Sequence, residues 1–378
     1  MKKNNPEMEI WDAGTEFQAL PFEKGNPASD YPNFSGDGIR KEVLCRPDGE
    51  YGFLHDCAVI SFKGTLFAAW YNCPEGEMVG KSVIRGRRSE DGGKTWSEIF
   101  TLAGGDGKNA SPAGKRGSAS LLYVPPAFLA DGDNLYLIVS RMTGPDLMED
   151  FEIFRWEEPS GTFRSVQVVD KTFLPNTPGF RMKNGKWIIG GRWTPEKGTR
   201  PECPAVAVCD SGDPEKEWRI VKIHDRILPD GSAFLFPETG LWVEDDCITA
   251  FVRNDHGAPL LFRSRDCGES WEGPFYHNLP LAPVKAAAGI LPDGRRYVIG
   301  NPVESGRRTR LMIAWAAAPG EMPLSRALLL QCGDDAELKA SPEWSYPSAW
   351  VAGGDLYVIY TSAKTSAVMA VIPLRVLR

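Results

Sequence analysis

Side chains that can bind anions or transfer protons recur where short apolar segments of this sequence begin and end. The beginnings carry imidazole, carboxylate and phenol groups, and the ends carry indole, guanidinium and amide groups: His55, Asp56, Glu238 and Tyr346, then Trp70, Arg141, Arg192, Arg253 and Asn301. The segments that follow add Glu75, Glu77 and Arg308. Guanidinium groups bind carboxylates bidentately, and aromatic faces can stack on a sugar ring. The set suits an anionic sugar if one architecture brings these ends together.

Six copies of one pattern provide such an architecture. Each copy is an apolar strand, a polar or glycine turn and a second strand rich in β-branched and aromatic residues; the copies occupy residues 57–71, 126–141, 178–192, 237–253, 288–301 and 346–360. Asn-Gly, Asp-Gly and Gly-Gly turns supply the positive φ angles that tight hairpins need. The first residue of a hairpin and its last residue lie at the same end of the two strands. We therefore expect the functional side chains to converge on one face of the propeller.

Composition favours an all-β chain. The 378 residues include 39 glycines and 30 prolines without a low-complexity run, which indicates many turns. The spacing of the hairpins leaves room for four strands per copy, as in a propeller blade. We therefore predict one six-bladed β-propeller over residues 51–378. Residues 1–50 are expected to form an N-terminal extension that adds a closing strand or covers an edge, and seven blades are the alternative.

Charge and motifs exclude several classes of function. The net charge of −7 argues against nucleic-acid binding, and no apolar stretch reaches the roughly 18 residues of a membrane span. We find no nucleotide-binding motif and no metal-ligand spacing among the four histidines, so we expect neither cofactor nor metal. Eight cysteines without a CxxC pair, and no apolar leader, favour a cytoplasmic location. Secretion is the alternative if a signal peptide has been removed.

Two eight-residue segments identify the kind of propeller. Residues 89–96 and 264–271 both fit S-x-D-x-G-x-[T/S]-W. In such a turn the aspartate and the hydroxyls bind backbone groups, glycine adopts the left-handed conformation, and tryptophan packs beneath. This is the Asp-box, and from about His55 onward the chain resembles the sialidase (neuraminidase) superfamily. The boxes themselves are expected to be structural, and fold alone does not define function.

The resemblance implies roles for several residues. Sialidases use a Tyr–Glu couple as nucleophile, and Tyr346 and Glu238 stand in segments similar to those that carry it. A phenol with a pKa near 10 needs a carboxylate to accept its proton. Arg253 and Arg308 are similar to two arginines of the triad that binds the substrate carboxylate, with Arg310 as the alternative to Arg308.

Two positions depart from the family pattern. His55 stands where the first arginine of the triad is expected, and Glu75 and Glu77 occupy the loop that normally provides an acid aspartate. The acid/base is therefore left open between Glu75, Glu77 and Asp56. With a histidine at this position, the chain also resembles propeller enzymes that cleave rhamnose linked to glucuronic acid, by hydrolysis or by β-elimination. Imidazole suits either reaction because it transfers protons near neutral pH. A propeller that binds glycans without catalysis is the third hypothesis.

Overall fold

A computed structural model describes residues 38–104, 121–275, 279, 281–302, 308–321, 324–332 and 343–378. In these residues the chain forms six antiparallel sheets. We number the sheets as blades one to six in chain order. The first strand, β1 (Arg40–Cys45), joins the last blade.

Blades one to three follow β1. Blade one contains β2 (Phe53–Phe62), β3 (Thr65–Cys73), β4 (Val83–Ser89) and β5 (Phe100–Ala103). Blade two contains β6 (Leu122–Asp131), β7 (Asn134–Gly144), β8 (Leu147–Glu157) and β9 (Thr162–Val169). Blade three contains β10 (Leu174–Pro175), β11 (Phe180–Arg181), β12 (Trp187–Trp193), β13 (Cys203–Cys209) and β14 (Trp218–Lys222). Its inner strand is split, since β10 and β11 both pair with β12.

Blades four to six complete the ring. Blade four contains β15 (Thr239–Glu244), β16 (Cys247–Val252), β17 (Leu260–Ser264) and β18 (Glu272–Phe275). Blade five contains β19 (Ala287–Ile290), β20 (Arg296–Gly300), β21 (Arg310–Trp315) and β22 (Arg326–Cys332). Blade six contains β23 (Trp344–Ala352), β24 (Asp355–Ser362) and β25 (Ser366–Pro373), followed by a short 3-10 helix (Leu374–Leu377).

The ring closes through β1. This strand pairs antiparallel with β25, so it adds the fourth strand to blade six, which otherwise consists of the last three strands of the chain. Residues 1–37 of the predicted extension lie outside the described residues. The six sheets confirm the predicted six-bladed β-propeller. No helix of the described part of the chain is long and apolar enough to cross a membrane.

The hydrophobic core lies between neighbouring blades. Alternate side chains of a strand point to opposite faces of its sheet, so each blade contributes apolar residues to the clusters on both of its sides. Phe128 of blade two packs toward blade one, for example, and Trp242 of blade four toward blade five. The apolar side chains pack between the blades, whereas polar side chains lie at the ends of the inner strands, around the axis.

Three inner strands contain bulges at the same end. The register of β2 shifts between His55 and Cys57, that of β6 between Tyr123 and Pro126, and that of β23 between Ser345 and Ser348. A bulge leaves a residue unpaired and re-aims its side chain. These irregularities determine which side chains of the inner strands reach the axis.

Candidate active site

A cavity of about 240 Å³ lies at the end of the inner strands where the bulges occur. All six blades contribute to its lining, which consists of Asp56, Tyr71, Glu77, Met78, Val124, Pro125, Asp146, Leu174, Arg192, Phe236, Glu238, Arg253, Arg308, Tyr346 and Lys364. Sites for drug-sized ligands usually measure roughly 300–1,000 Å³. The smaller volume suits one sugar unit better than an extended chain.

Tyr346, Glu238 and Arg253 form one hydrogen-bonded cluster in this cavity. Nη1 of Arg253 donates to Oε2 of Glu238 at 2.9 Å and to the Tyr346 hydroxyl at 3.3 Å. Nη2 of the same arginine pairs with Oδ1 of Asp255 at 2.7 Å. Tyr346 is 8% exposed and Glu238 is 4% exposed. One guanidinium thus holds the phenol and the carboxylate on the same side of the cavity.

The environment keeps the Tyr346 phenol protonated at rest. Burial raises its pKa well above the usual value of 10, and the Glu238 carboxylate raises it further. A phenolate beside the charged Glu238 is unfavourable, whereas transfer of the phenol proton to that carboxylate leaves the charge of the pair unchanged. The cluster can therefore present a nucleophile only if proton transfer accompanies bond formation.

Six residues of the cavity have left-handed backbones: Asp56, Met78, Asp146, Arg308, Tyr346 and Lys364. The φ angles of Asp56, Arg308 and Tyr346 are 45°, 56° and 54°. Non-glycine residues rarely adopt this conformation, and such strain often marks a functional site. In β2 and β23 the strained residue lies within the bulge, so the bulge directs Asp56 and Tyr346 into the cavity.

Two carboxylates near Tyr346 are paired with lysines. Asp56 accepts a hydrogen bond from the buried Lys285 of blade five at 2.6 Å. Glu77 accepts one from Lys364 of blade six at 3.0 Å and one from the Tyr71 hydroxyl at 3.4 Å. The Glu77 side chain is 43% exposed and the Asp56 side chain 11%. Asp56 is therefore an enclosed ion pair, while Glu77 lies where solvent reaches the cavity.

His55 lies next to the Tyr346 ring and is not part of the cavity lining. The ring centroids of His55 and Tyr346 are 4.0 Å apart, His55 is 1% exposed, and neither of its ring nitrogens has a hydrogen-bond partner among the described residues. Burial lowers its pKa well below 6.5, and the cations of Lys364 and Arg308 lower it further. The imidazole is accordingly neutral and packs against the Tyr346 ring.

The two other arginines of the cavity differ in their surroundings. Arg308 pairs with Glu343, and its guanidinium lies 5.4 Å from the centre of the Tyr346 ring. Arg192 is the next-to-last residue of β12 in blade three and is 6% exposed. It has no ion pair with any carboxylate that the structure describes, and its Nε is buried without a hydrogen-bond partner there.

Besides His55, four of the predicted site residues are not among those that line the cavity. Trp70 is 0% exposed in the core, where its indole donates to Asn72. Arg141 binds Asp150 through two hydrogen bonds and Glu152 through a third. The amide nitrogen of Asn301 donates to two backbone carbonyls, and Glu75 is exposed. Trp70, Arg141 and Asn301 stabilise the blades, because their hydrogen-bonding groups point to neighbouring strands or carboxylates.

Several residues outside the predicted set complete the site. Lys285, Lys364, Asp255 and Tyr71 contact the predicted groups directly. Asp255 lies two positions after Arg253, beyond the end of the fourth hairpin copy. The two lysines lie outside the strand-end positions that the hairpin pattern singles out, so that pattern carried no signal for them. Only the closure of the ring brings blades one, five and six together here.

A second cavity of about 220 Å³ is lined by the inner strands of blades three, five and six. Its lining includes Thr177, Phe180, Tyr297, Ser348 and Trp350 and no charged side chain. In the described ranges, no cluster of three or more His, Cys, Asp or Glu residues could hold a metal ion. The charged cavity around Tyr346 is therefore the better candidate for chemistry on a polar ligand.

Fold, Asp-box turns and a charged axial cavity together define a sialidase-like β-propeller. A model of the BNR repeat-like domain family matches residues 64–358, so the chain belongs to that family. This match and the structural likenesses below confirm the resemblance predicted from the Asp-boxes. No curated protein sequence matches the chain.

Solved structures of sialidases share this fold. The leech intramolecular trans-sialidase, solved with 2,7-anhydro-Neu5Ac, has a TM-score of 0.66 at 11% identity, with 88% of this chain and 69% of that one covered. The intramolecular trans-sialidase of Ruminococcus gnavus scores 0.65 at 11% identity, with 85% and 95% covered. Trypanosoma rangeli sialidase in complex with sialic acid scores 0.63 at 12% identity, and this chain spans 60% of its length. At such identities the likeness shows the fold alone.

Proposed function

We propose that this protein is a retaining exo-glycosidase that releases a terminal acidic sugar from a glycan. The observation that carries the proposal is the Tyr346–Arg253–Glu238 cluster, in which a buried phenol and a carboxylate share one guanidinium. The strained backbone of Tyr346 and the size of the cavity support it. Sialidase-like neighbours that bind sugar ligands support a carbohydrate substrate.

In the first step the Tyr346 oxygen attacks the anomeric carbon and its proton passes to Glu238. The glycosidic C–O bond breaks, and the departing oxygen takes a proton from a carboxylic acid of the cavity. We favour Glu77 as this acid, because it lies at the solvent-exposed side where a leaving group can depart, whereas Asp56 is enclosed with Lys285. Water, deprotonated by the same carboxylate, then attacks the anomeric carbon. The bond between this carbon and the Tyr346 oxygen breaks, and Tyr346 recovers its proton from Glu238.

The alternatives have weaker support. A lyase or hydrolase centred on His55 needs the imidazole to reach the substrate, but His55 lies under Tyr346 and is absent from the described lining. A glycan-binding propeller without catalysis would need no nucleophile, and it remains an outcome of the activity test.

Release of free sugar from a panel of 4-methylumbelliferyl glycosides tests the proposal. The panel contains α-N-acetylneuraminide, β-D-glucuronide and β-D-glucoside. We expect turnover of an acidic member and a loss of at least about 100-fold in kcat for Tyr346→Phe, since the variant has no nucleophilic oxygen. Tyr297→Phe, a tyrosine outside the Tyr346 cavity, is the matched control and should keep full activity. Full activity of Tyr346→Phe would contradict the proposal, and binding without turnover would support the non-catalytic alternative.

A further inference from the structure

Arg192 stands apart electrostatically from the other cations around the cavity. Its side chain is more than nine-tenths buried, lines the cavity, and has no described carboxylate within ion-pair distance. Removal of a guanidinium from water without a counterion is costly, and natural proteins nearly always pair such a group. An anionic ligand in the cavity would supply the missing partner.

The other cations already have partners. Nη1 of Arg253 donates to Glu238 and Tyr346, Nη2 binds Asp255, and its Nε is buried. Arg253 therefore has no free pair of donors for a bidentate contact with a ligand carboxylate. Arg308, Lys364 and Lys285 are paired with carboxylates in turn: Glu343, Glu77 and Asp56.

The position of Arg192 restricts where the ligand's negative group lies. Arg192 belongs to blade three, and in a ring of six blades this blade faces blade six, which carries Tyr346, across the axis. The anomeric carbon must lie beside the Tyr346 oxygen for attack. In a 2-keto acid sugar the carboxylate is attached to the anomeric carbon itself, so it would lie on the side of Tyr346. In a hexuronic acid the carboxylate is attached to C5, away from the anomeric carbon.

We propose that Arg192 is the residue that recognises the substrate's acidic group, and that this group is the C5 carboxylate of a hexuronic acid. The inference rests on the proposed function, because Tyr346 defines the place of the anomeric carbon. It also accounts for His55: with the acidic group bound at blade three, an arginine at the start of β2 is not needed.

The experiment measures binding of free sugars by isothermal titration calorimetry to the Tyr346→Phe variant and to the wild type. The probes are D-glucuronate, D-glucose and N-acetylneuraminate. We expect D-glucuronate to bind at least 10-fold more tightly than D-glucose, because a bidentate charge-assisted contact contributes about a 10- to 100-fold preference. Arg192→Gln should remove this preference, so that D-glucuronate and D-glucose bind with similar affinity. Arg192→Lys should restore part of the preference, since lysine supplies the charge without the fork.

Arg265→Gln is the matched control, because Arg265 is exposed on an Asp-box turn and does not line the cavity. Equal affinity of the wild type for D-glucuronate and D-glucose, or a preference that survives Arg192→Gln, would overturn the inference. Tighter binding of N-acetylneuraminate that is insensitive to Arg192→Gln would also overturn it.

The result is distinguishable from failure of the proposed function. Arg192-dependent preference for D-glucuronate without turnover of any glycoside would support the binding assignment and contradict the glycosidase. Turnover that depends on Tyr346 but not on Arg192 would support the glycosidase and contradict the assignment of Arg192 as the residue that recognises the acidic group.

Discussion

Tyr346 and Glu238 were predicted as partners because each begins an inner strand, and the resemblance to sialidases paired them. The structure adds Arg253 as the group that joins them, with Nη1 within hydrogen-bond distance of both. The same arginine was predicted to bind substrate, yet both of its terminal nitrogens already bind protein groups and its Nε is buried. Sequence position indicates which side chains reach the axis, but only the packed structure shows which of their hydrogen bonds remain free.

The buried His55 predicts a pH dependence of stability. Its native pKa is held well below 6.5, while the unfolded chain binds a proton at about pH 6.5. The unfolded state therefore binds more protons below this pH, and the free energy of unfolding falls as the pH decreases from 6.5 to 5. The loss from this one group approaches about 1.4 kcal/mol per pH unit.

Urea unfolding between pH 5 and 8 measures this dependence. His55→Leu, which cannot titrate, should have a shallower slope below pH 6.5, and replacement of the exposed His256 by Gln should leave the slope as in the wild type. A His55→Leu slope equal to that of the wild type would show that the native state binds a proton at His55 as readily as the unfolded state does, and would contradict the lowered pKa.

At the scale of elements, the hairpins were predicted from their turns, but the bulges were not. The bulges of β6 and β23 both contain proline: Pro125 in one and Pro347 in the other. Proline lacks the N–H that a paired inner position needs, so within a sheet it is confined to edges and bulges. These prolines were a usable signal for the strand ends at the cavity. The bulge at Asp56 contains no proline, and its aspartate pairs with the buried Lys285.

The Asp-box turns were predicted to be structural, and their hydrogen bonds agree with that role. In the blade-four box, the Ser264 hydroxyl donates to Asp266 and accepts from the backbone N–H of Gly268, each at 2.8 Å. Ser264→Ala leaves this buried N–H without an acceptor, so we expect the free energy of unfolding to fall by about 1–2 kcal/mol.

Chemical denaturation checks this prediction, with Ser270→Ala as control. Ser270 is an exposed hydroxyl of the same box, and its loss should cost less than that of Ser264. Turnover of the best glycoside should be the same for both variants. A loss of activity in Ser264→Ala without a loss of stability would give the box a direct role in catalysis.

At the scale of the whole molecule, the site depends on ring closure. Lys364 of blade six reaches Glu77 of blade one, and Lys285 of blade five reaches Asp56 of blade one. No local pattern could predict these pairs, since they join residues more than 200 positions apart in sequence. The number of blades could be predicted because each hairpin repeats a local signal.

The pairing of β1 with β25 predicts that one buried side chain of β1 supports the whole ring. Leu44 is 1% exposed and packs between blades one and six, whereas Val43 is 37% exposed. Leu44→Ala should lower the free energy of unfolding by about 2–4 kcal/mol, because it leaves a cavity at the closure. Val43→Ala should change it by less than about 0.5 kcal/mol. Urea unfolding of both variants provides the comparison, and equal effects would show that closure does not depend on packing at Leu44.

The most direct test of the glycosidase is to capture the covalent intermediate. A fluorinated glycosyl fluoride, 2-fluoro-glucuronosyl or 3-fluoro-N-acetylneuraminosyl, forms the sugar–enzyme bond readily but releases it slowly. After incubation and proteolysis, mass spectrometry should locate the added sugar on the peptide that contains Tyr346, and Tyr346→Phe should remain unlabelled. Label on Asp56 or Glu77 instead, or turnover by the wild type without any label on Tyr346, would contradict the assignment of Tyr346 as the nucleophile.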